Sequence, residues 1–433
     1  MPQYLSPGVY VEEVPSGNAP IAGASTSTPG FVGFVDDAVA MPVIPGRFEL
    51  DDTGALKKDS DGNPIPVHFT VAPAMTPVLV TSWAQFKNSF GDFQDLGLGK
   101  TPTAADLTAA EPKRLRNAAL AHAVFGFFDN GGSRAWVVRV GGTAGADDAA
   151  VATAVAGKVT AALNALGAVD EIALIAVPGV TDGATQKLIY QHCESMGDRF
   201  AILDGPNARP GTMTPDGFGG GARGTSNYAA IYYPWIQVMD PSTGGKRMVA
   251  PSGHIAGLYA RVDGEKGVHK APANEVVRGA VGLADRVSKA EQDGLNPAGY
   301  NMIREFNGNI KVWGARTLGG DANTEWKYVN VRRVFLYLRK SIDSGTHWTV
   351  FEPNTPALWQ KIVRNVNAFL TNVWRAGALF GSTAPEAFFV RCDATTNPPE
   401  LRDLGQVVTE IGVAVVRPAE FVIFRISQWQ PGA

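Results

Sequence analysis

The residues whose types could do chemistry stand in contexts that do not support it. In "GFGGGARG", Gly219, Gly221 and Gly224 match the dinucleotide fingerprint G-x-G-x-x-G. That pattern holds a pyrophosphate only when a strand runs straight into it and a helix opens from it, so that backbone N–H groups meet the anion. Here a Pro/Gly-rich stretch precedes and the strand-like "YAAIYYPW" follows, so a flexible loop is expected. "GLGKT" at 97–101 resembles a phosphate loop but has Gln94 where the pattern needs glycine, and after Lys246 the residue that should carry a magnesium-binding hydroxyl is Arg247. Ser252, Gly253 and His254 put a nucleophile type beside a base type, yet no G-x-S-x-G elbow exposes the serine, and His254 is expected to be a satisfied loop histidine. "DSDGN" at 59–63 lacks the carboxylate a calcium loop needs about six residues past its glycine. The six histidines (His68, His122, His192, His254, His269, His347) are scattered without metal-ligand spacing. No catalytic residue, cofactor site or metal ligand is assigned, and no cofactor is expected.

Composition narrows the remaining classes. A chain of 433 residues with 45% hydrophobic residues can build two or three cores. Its formal net charge of −3 provides no basic field for nucleic acid. Two cysteines, Cys193 and Cys392, exclude a disulfide framework. No apolar run approaches the ~18 residues that span a bilayer, and the N-terminus lacks a signal-peptide pattern, so synthesis in the cytoplasm without membrane insertion is expected.

The elements follow from hydrophobic periodicity. "PGFVGFV" from Pro29 reads as a buried strand, and the Asp/Gly/Pro-rich stretch 36–73 as a surface excursion. Strands at "PVLVTS", "RAWVVRV", "EIALIAVPG" and "RFAILDGP" alternate with helices that start at Ser82 or lie near "LRNAALAHAVFGFFDNGG", "AVATAVAGKVTAALNAL" and "DGATQKLIYQHCESMG". Alternation of buried strands with amphipathic helices predicts a doubly wound α/β sheet. Around 227 the texture changes to longer loops and then to a helix-rich stretch at 272–299. A strong helix follows "FEPNT", with Asn354 or Thr355 as its cap, Pro356 in its first turn, and a core stripe from Trp359 through Ile362, Val366, Phe369 and Val373 to Trp374. No internal repeats are apparent.

Both ends of the chain carry strands without a partner in reach. Val9, Tyr10, Val11 and Val14, with Glu12 between them, form a short β-pattern followed by Pro15 and the small-residue linker 16–28. Beyond Pro418 a second strand runs from Phe421 to Gln428, with Phe421, Val422, Ile423, Phe424 and Ile426 apolar on both faces. Each must pair far away in the chain or with another molecule, because no hairpin fits.

A series of phrases in order, "YLSPGVYVEEV", "FFDNGGSRAWVVRV", "PWIQVMDP", "VAPSGHIAGLYARVDGEKGVHKAPANE", "LNPAGYNMIREFNGNIKVWGARTL", "WKYVNVRRVFLYLRKSI", "WTVFEPNTPALWQKI" and "FFVRCDATTNPPE", resembles the tail sheath proteins of contractile phage tails and related contractile injection systems. The resemblance implies a non-enzymatic subunit of a six-fold helical sleeve around an inner tube, made in the bacterial cytoplasm as part of a virion or injection particle. It implies end strands that leave their own subunit to join sheets on neighbours, and a sleeve that contracts from a metastable extended state. The implied fold is an outer α/β domain at 29–250 and an α+β core domain at 251–417, with arms at 1–28 and 418–433. The implied partners are copies of the chain, the inner tube protein, and the baseplate and tail terminator proteins, without nucleic acid. Lys361, Arg364 and Arg375 become candidates for meeting an acidic tube. The alternatives are a baseplate or tail terminator protein with similar arms, or a nucleotide-dependent α/β enzyme.

Overall fold

The computed structural model of the chain describes residues 20–93, 119–142 and 148–425. Its contacts separate two compact units, one comprising 24–338 and 415–425, the other 20–23 and 339–414.

In the larger unit the chain forms β1 (Pro29–Phe34), β2 (Val43–Phe48), β3 (Pro66–His68), β4 (Val78–Val80), α1 (Trp83–Phe90), α2 (119–129) and β5 (Ala135–Val140). It continues through α3 (Asp148–Gly167), β6 (Leu174–Ala176), α4 (Gly183–Met196), β7 (Phe200–Asp204), α5 (Gly220–Arg223), β8 (Ala229–Tyr233), β9 (Ile236–Met239), β10 (Lys246–Val249) and α6 (Ser252–Lys266). Then come β11 (Glu275–Val276), β12 (Ala280–Leu283), α7 (Lys289–Leu295), β13 (Tyr300–Phe306), β14 (Asn309–Val312) and the start of α8 (Val329–Thr346).

Nine of these strands make one mixed sheet in the order β11-β14-β13-β8-β7-β6-β1-β5-β4. The run from β5 to β13 is parallel, while β4, β14 and β11 pair antiparallel. Helices cover both faces, because strands buried on both sides carry apolar residues at every position. Phe31 and Val35 pack with Leu120, Val124 and Phe127 of α2 and Ile255 and Leu258 of α6. Val32 and Phe34 pack on the other face with Val159 and Leu163 of α3 and Ile189 and Cys193 of α4. The close approach explains two glycines of β1: a Cβ on Gly30 would lie 2.9 Å from Leu166, and one on Gly33 would lie 2.8 Å from Leu120.

The sheet runs straight across the boundary expected at 250/251, since β13 pairs with β8 in parallel register from Tyr300↔Ile231. The stretch 272–299 is not helix-rich. Asn274 (φ +58°) and Gly279 (φ +77°) adopt left-handed conformations that interrupt a helix, so β11 and β12 form there and helix is confined to α7, opened by a Ser288/Glu291 capping box, and a 3-10 turn at Asn296–Ala298. The glycine-rich segment at 217–224 contains the single turn α5 rather than an open loop.

The excursion 36–73 is exposed over most of its length, with Ala72 buried in the core, and holds a repeat that the sequence reading missed. Glu49 N donates to Ile65 O (2.8 Å), Ile65 N to Lys57 O (2.9 Å) and Lys57 N to Glu49 O (2.9 Å), closing a ring of residues eight apart. Two of its arms end in matching turns. Asp51 Oδ1 accepts from Thr53 N and Ala55 N, and Asp59 Oδ1 accepts from Asp61 N and Asn63 N, with Gly54 and Gly62 at φ +82° and +83°.

The smaller unit contains the end of α8, then α9 (Pro356–Arg375), β15 (Phe388–Arg391) and β16 (Glu410–Val413). Thr355 caps α9 through its side chain, and Leu358, Trp359, Ile362, Val366, Phe369, Leu370 and Val373 are buried. The stripe is core, as the spacing predicts.

Candidate functional site

Phe421, Val422, Ile423 and Phe424 are 69%, 69%, 78% and 84% exposed, and residues 421–425 belong to no strand within the chain. The strand expected at 421–428 is therefore unformed over its described part, because no sheet edge of the larger unit receives it. Ile426, and the N-terminal set Val9, Tyr10, Val11, Glu12 and Val14, lie outside the described residues.

The backbone just before this apolar segment is held tightly. The Glu420 carboxylate accepts from Arg316 Nε (2.8 Å) and Nη2 (2.9 Å), Asn296 Nδ2 (2.9 Å) and Tyr328 OH (2.9 Å). Burial pushes this carboxyl up, but the bonds from Arg316, Asn296 and Tyr328 outweigh it and hold its pKa below the ordinary glutamate value. Burial and the Glu420 carboxylate together push the Tyr328 phenol up to about 12.

The described part of the linker is also anchored, which corrects the expectation of a flexible stretch through residue 28. Thr26 Oγ1 donates to Asp263 Oδ2 (2.6 Å), and Arg333 Nη2 donates to Thr26 O (2.9 Å). Arg333 and Asp263 form a buried ion pair at 2.6 Å, with Tyr259 4.6 Å from the guanidinium. Within the smaller unit Ile21 is buried and lies where a Cβ on Gly345 would fall. Pairing across 70 to 307 residues leaves no local signal, so Thr26, Asp263, Arg316, Arg333 and Glu420 were not singled out by sequence. The one hint was an isolated glutamate between Pro418 and an apolar strand.

In the smaller unit, β15 and β16 pair antiparallel from Phe388↔Val413 to Arg391↔Glu410, and neither has another strand partner among the described residues. Phe389, 57% exposed, covers Gly412 across the ladder. A two-stranded ladder is marginal in water and leaves both outer edges with unpaired N–H and C=O groups. On α9, Lys361, Arg364 and Arg375 are exposed. At 100° per residue they cluster on the face opposite the buried stripe.

Groups with catalytic potential are occupied structurally. Ser252 Oγ donates to Asp204 (2.8 Å), not to a histidine. His254 sits in α6 rather than a loop, its Nδ1 has no partner, and burial together with neighbouring His122 lowers its pKa to about 3. On β5, Arg139 Nη1 donates to Val35 O (3.1 Å) and Asp37 Oδ1 (2.6 Å), just past the end of β1. Arg223 of α5 is buried and donates to Gln186, Phe218 O and Tyr300 OH, so the glycine cluster staples a loop. A cleft of about 880 Å³ beside Glu420 is lined by Lys266, Lys270, Arg304, Trp313 and Phe421. Lys266 and Lys270 pair with Glu275 at 2.8 and 3.8 Å. No group of three or more His, Cys, Asp or Glu among the described residues is placed to hold a metal. No helix among them is long and apolar enough to cross a membrane.

Residues 152–318 match the phage tail sheath protein central domain, and residues 321–428 match the phage tail sheath C-terminal domain. The chain belongs to the phage tail sheath protein family. The family is structural and non-enzymatic. A prophage major tail sheath protein of Pseudomonas aeruginosa is 28% identical over 265 residues, which is 59% of this sheath chain and 62% of that protein. The matched stretch thus falls short of two thirds of that relative's length. Solved structures give end-to-end likeness. The sheath complex of the PVC extracellular contractile injection system in its contracted state has a TM-score of 0.69 at 26% identity, covering 99% of each chain. The contracted helical sheath of the anti-feeding prophage has a TM-score of 0.66 at 28% identity, covering 98% of this sheath chain and 99% of that one.

Proposed function

We propose that the chain is the subunit of a contractile sheath, a six-fold helical sleeve of copies of itself around an inner tube, in a phage tail or an extracellular injection particle. The observation that carries this reading is a mismatch within one molecule. Four consecutive apolar residues, 421–424, are exposed at 69% or more, while the β15–β16 ladder has no third strand among the described residues. Strand addition from another copy resolves both deficits, since main-chain bonds satisfy the ladder edges and alternate side chains set the register. The N-terminal pattern Val9–Val14 is assigned to the same role, which gives each subunit two exchanged arms.

Exchange that is not closed by symmetry propagates, so it builds filaments rather than a fixed oligomer. The sleeve then shortens by rearranging body contacts while the arms stay paired, and the stored energy lies in those contacts rather than in a nucleotide. The exposed cationic face of α9, carrying Lys361, Arg364 and Arg375, is the candidate surface for the tube. Baseplate and tail terminator proteins are the proposed partners at the two ends. The test is electron microscopy of the purified protein: long tubes are expected, and a sharp monomer at high concentration across a range of salt would oppose the reading.

A further inference from the structure

We propose that Glu420 is a positioning residue that fixes the point and direction from which the C-terminal arm leaves the subunit, with Arg316 as its main holder. This inference rests on the arm-exchange reading above. Its basis is an abrupt change along the backbone. At Glu420 four donors from three side chains converge on one carboxylate, and one residue later the chain is 69% exposed and stays exposed through 425.

The holders come from rigid places. Asn296 ends α7, and Arg316 is 3% exposed. Tyr328 adjoins α8 and is bridged to Arg316 by antiparallel pairing. Arg316 grips Glu420 with Nε and Nη2, the two-pronged geometry that fixes a carboxylate's orientation as well as its position. Its remaining nitrogen, Nη1, donates to Asn296 O (3.0 Å) and Asp321 (3.1 Å), so the arginine stays partnered even without Glu420. Asn330 Nδ2 donates to Val416 O (3.3 Å), adding a second hold just upstream. The body would survive loss of the clamp, and the arm would lose its aim.

A pre-aimed strand reaches a neighbour's sheet edge without losing that freedom at the moment of binding. Releasing one or two residues at the root should weaken assembly about tenfold or more. The same fixed root is also the place where motion of one subunit passes to the strand it has lent.

The experiment uses the full chain in four forms: wild type, Glu420→Gln, Glu420→Ala, and the double variant Glu420→Ala with Arg316→Met, which removes both charges. Spin labels on cysteines introduced at Ile423 and Lys289 report the arm-to-body distance at concentrations below assembly, and sedimentation gives the critical concentration for tubes. Narrow distances are expected in wild type and broad ones in both alanine forms. The critical concentration should rise about tenfold or more in both. Glu420→Gln should fall between, and body melting of the two single variants should be nearly unchanged. Distances as narrow in Glu420→Ala as in wild type, or tubes from the double variant at the wild-type concentration, would overturn the proposal. If wild type forms no tubes at all, the sheath reading fails, while the distance distributions still decide whether Glu420 holds the arm.

Discussion

Replacing Ile423 or Phe424 by aspartate separates the energetics of the subunit from those of the assembly. In the chain these side chains are 78% and 84% exposed, so either change should alter folding stability by no more than about 0.5 kcal/mol, the usual range for surface positions. In a neighbour's sheet the same side chain would be buried. Losing an isoleucine or phenylalanine there forfeits about 1.5–3 kcal/mol of apolar burial. Placing an unpaired carboxylate in its stead costs several kcal/mol more. Taking about 4 kcal/mol as a conservative total, each lent strand binds on the order of a thousandfold more weakly. Melting followed by circular dichroism should match wild type within about 2 °C. Electron microscopy at concentrations where wild type forms long tubes should show none. A large drop in melting temperature would place residues 421–424 in the subunit's own core, and tubes of normal length would show that the segment is not lent at all.

Other perturbations probe other links. Charge reversal of Lys361, Arg364 and Arg375 to glutamate should leave melting and empty tubes intact but abolish co-assembly with the inner tube protein; unchanged co-assembly would assign this face of α9 to solvent. Lengthening the linker after Ser16 by a few Gly/Ser residues should preserve tubes yet block their shortening after a contraction trigger, as read from tube length and diameter, whereas normal contraction would reduce the linker to a tether. Asp204, buried at the end of β7, has its pKa raised to about 6, chiefly by burial and against the bonds from Ser252 and Gly179. A folded pKa above the unfolded one contributes stability below about pH 4 that is lost as pH rises through about 6, roughly 3 kcal/mol in all. Asp204→Asn should therefore gain on wild type across that window in denaturant titrations, and a pH-independent difference between the two would contradict the assignment.

Much of the α/β sheet was legible because its signals are local. β1, β5, β6 and β7 are apolar runs buried on both faces, and α1, α4 and α9 begin at Ser82, Asp182 and Thr355, whose side chains accept from the first turn. The continuation of the sheet through β8 into β13 was not legible, since pairing Ile231 with Tyr300 depends on what lies between them. The 272–299 stretch carries helix-forming residues, but backbone turns at Asn274 and Gly279 prevail over propensity. At the candidate site, the apolar character of 421–426 could be read, while over 421–425 the segment is exposed and forms no strand within the chain. The holders of Glu420 could not be read, because they lie 92, 104 and 124 residues away in sequence.

The most direct test of the central claim is a cryo-electron microscopy reconstruction of the polymer formed by the purified chain, at a resolution that traces the backbone. The account expects each β15–β16 ladder to be extended by strands from other copies, one from the segment around Val9–Val14 and one from the segment beginning at Phe421. A polymer in which both segments fold back onto their own subunit, leaving every β15–β16 ladder two-stranded, would contradict it.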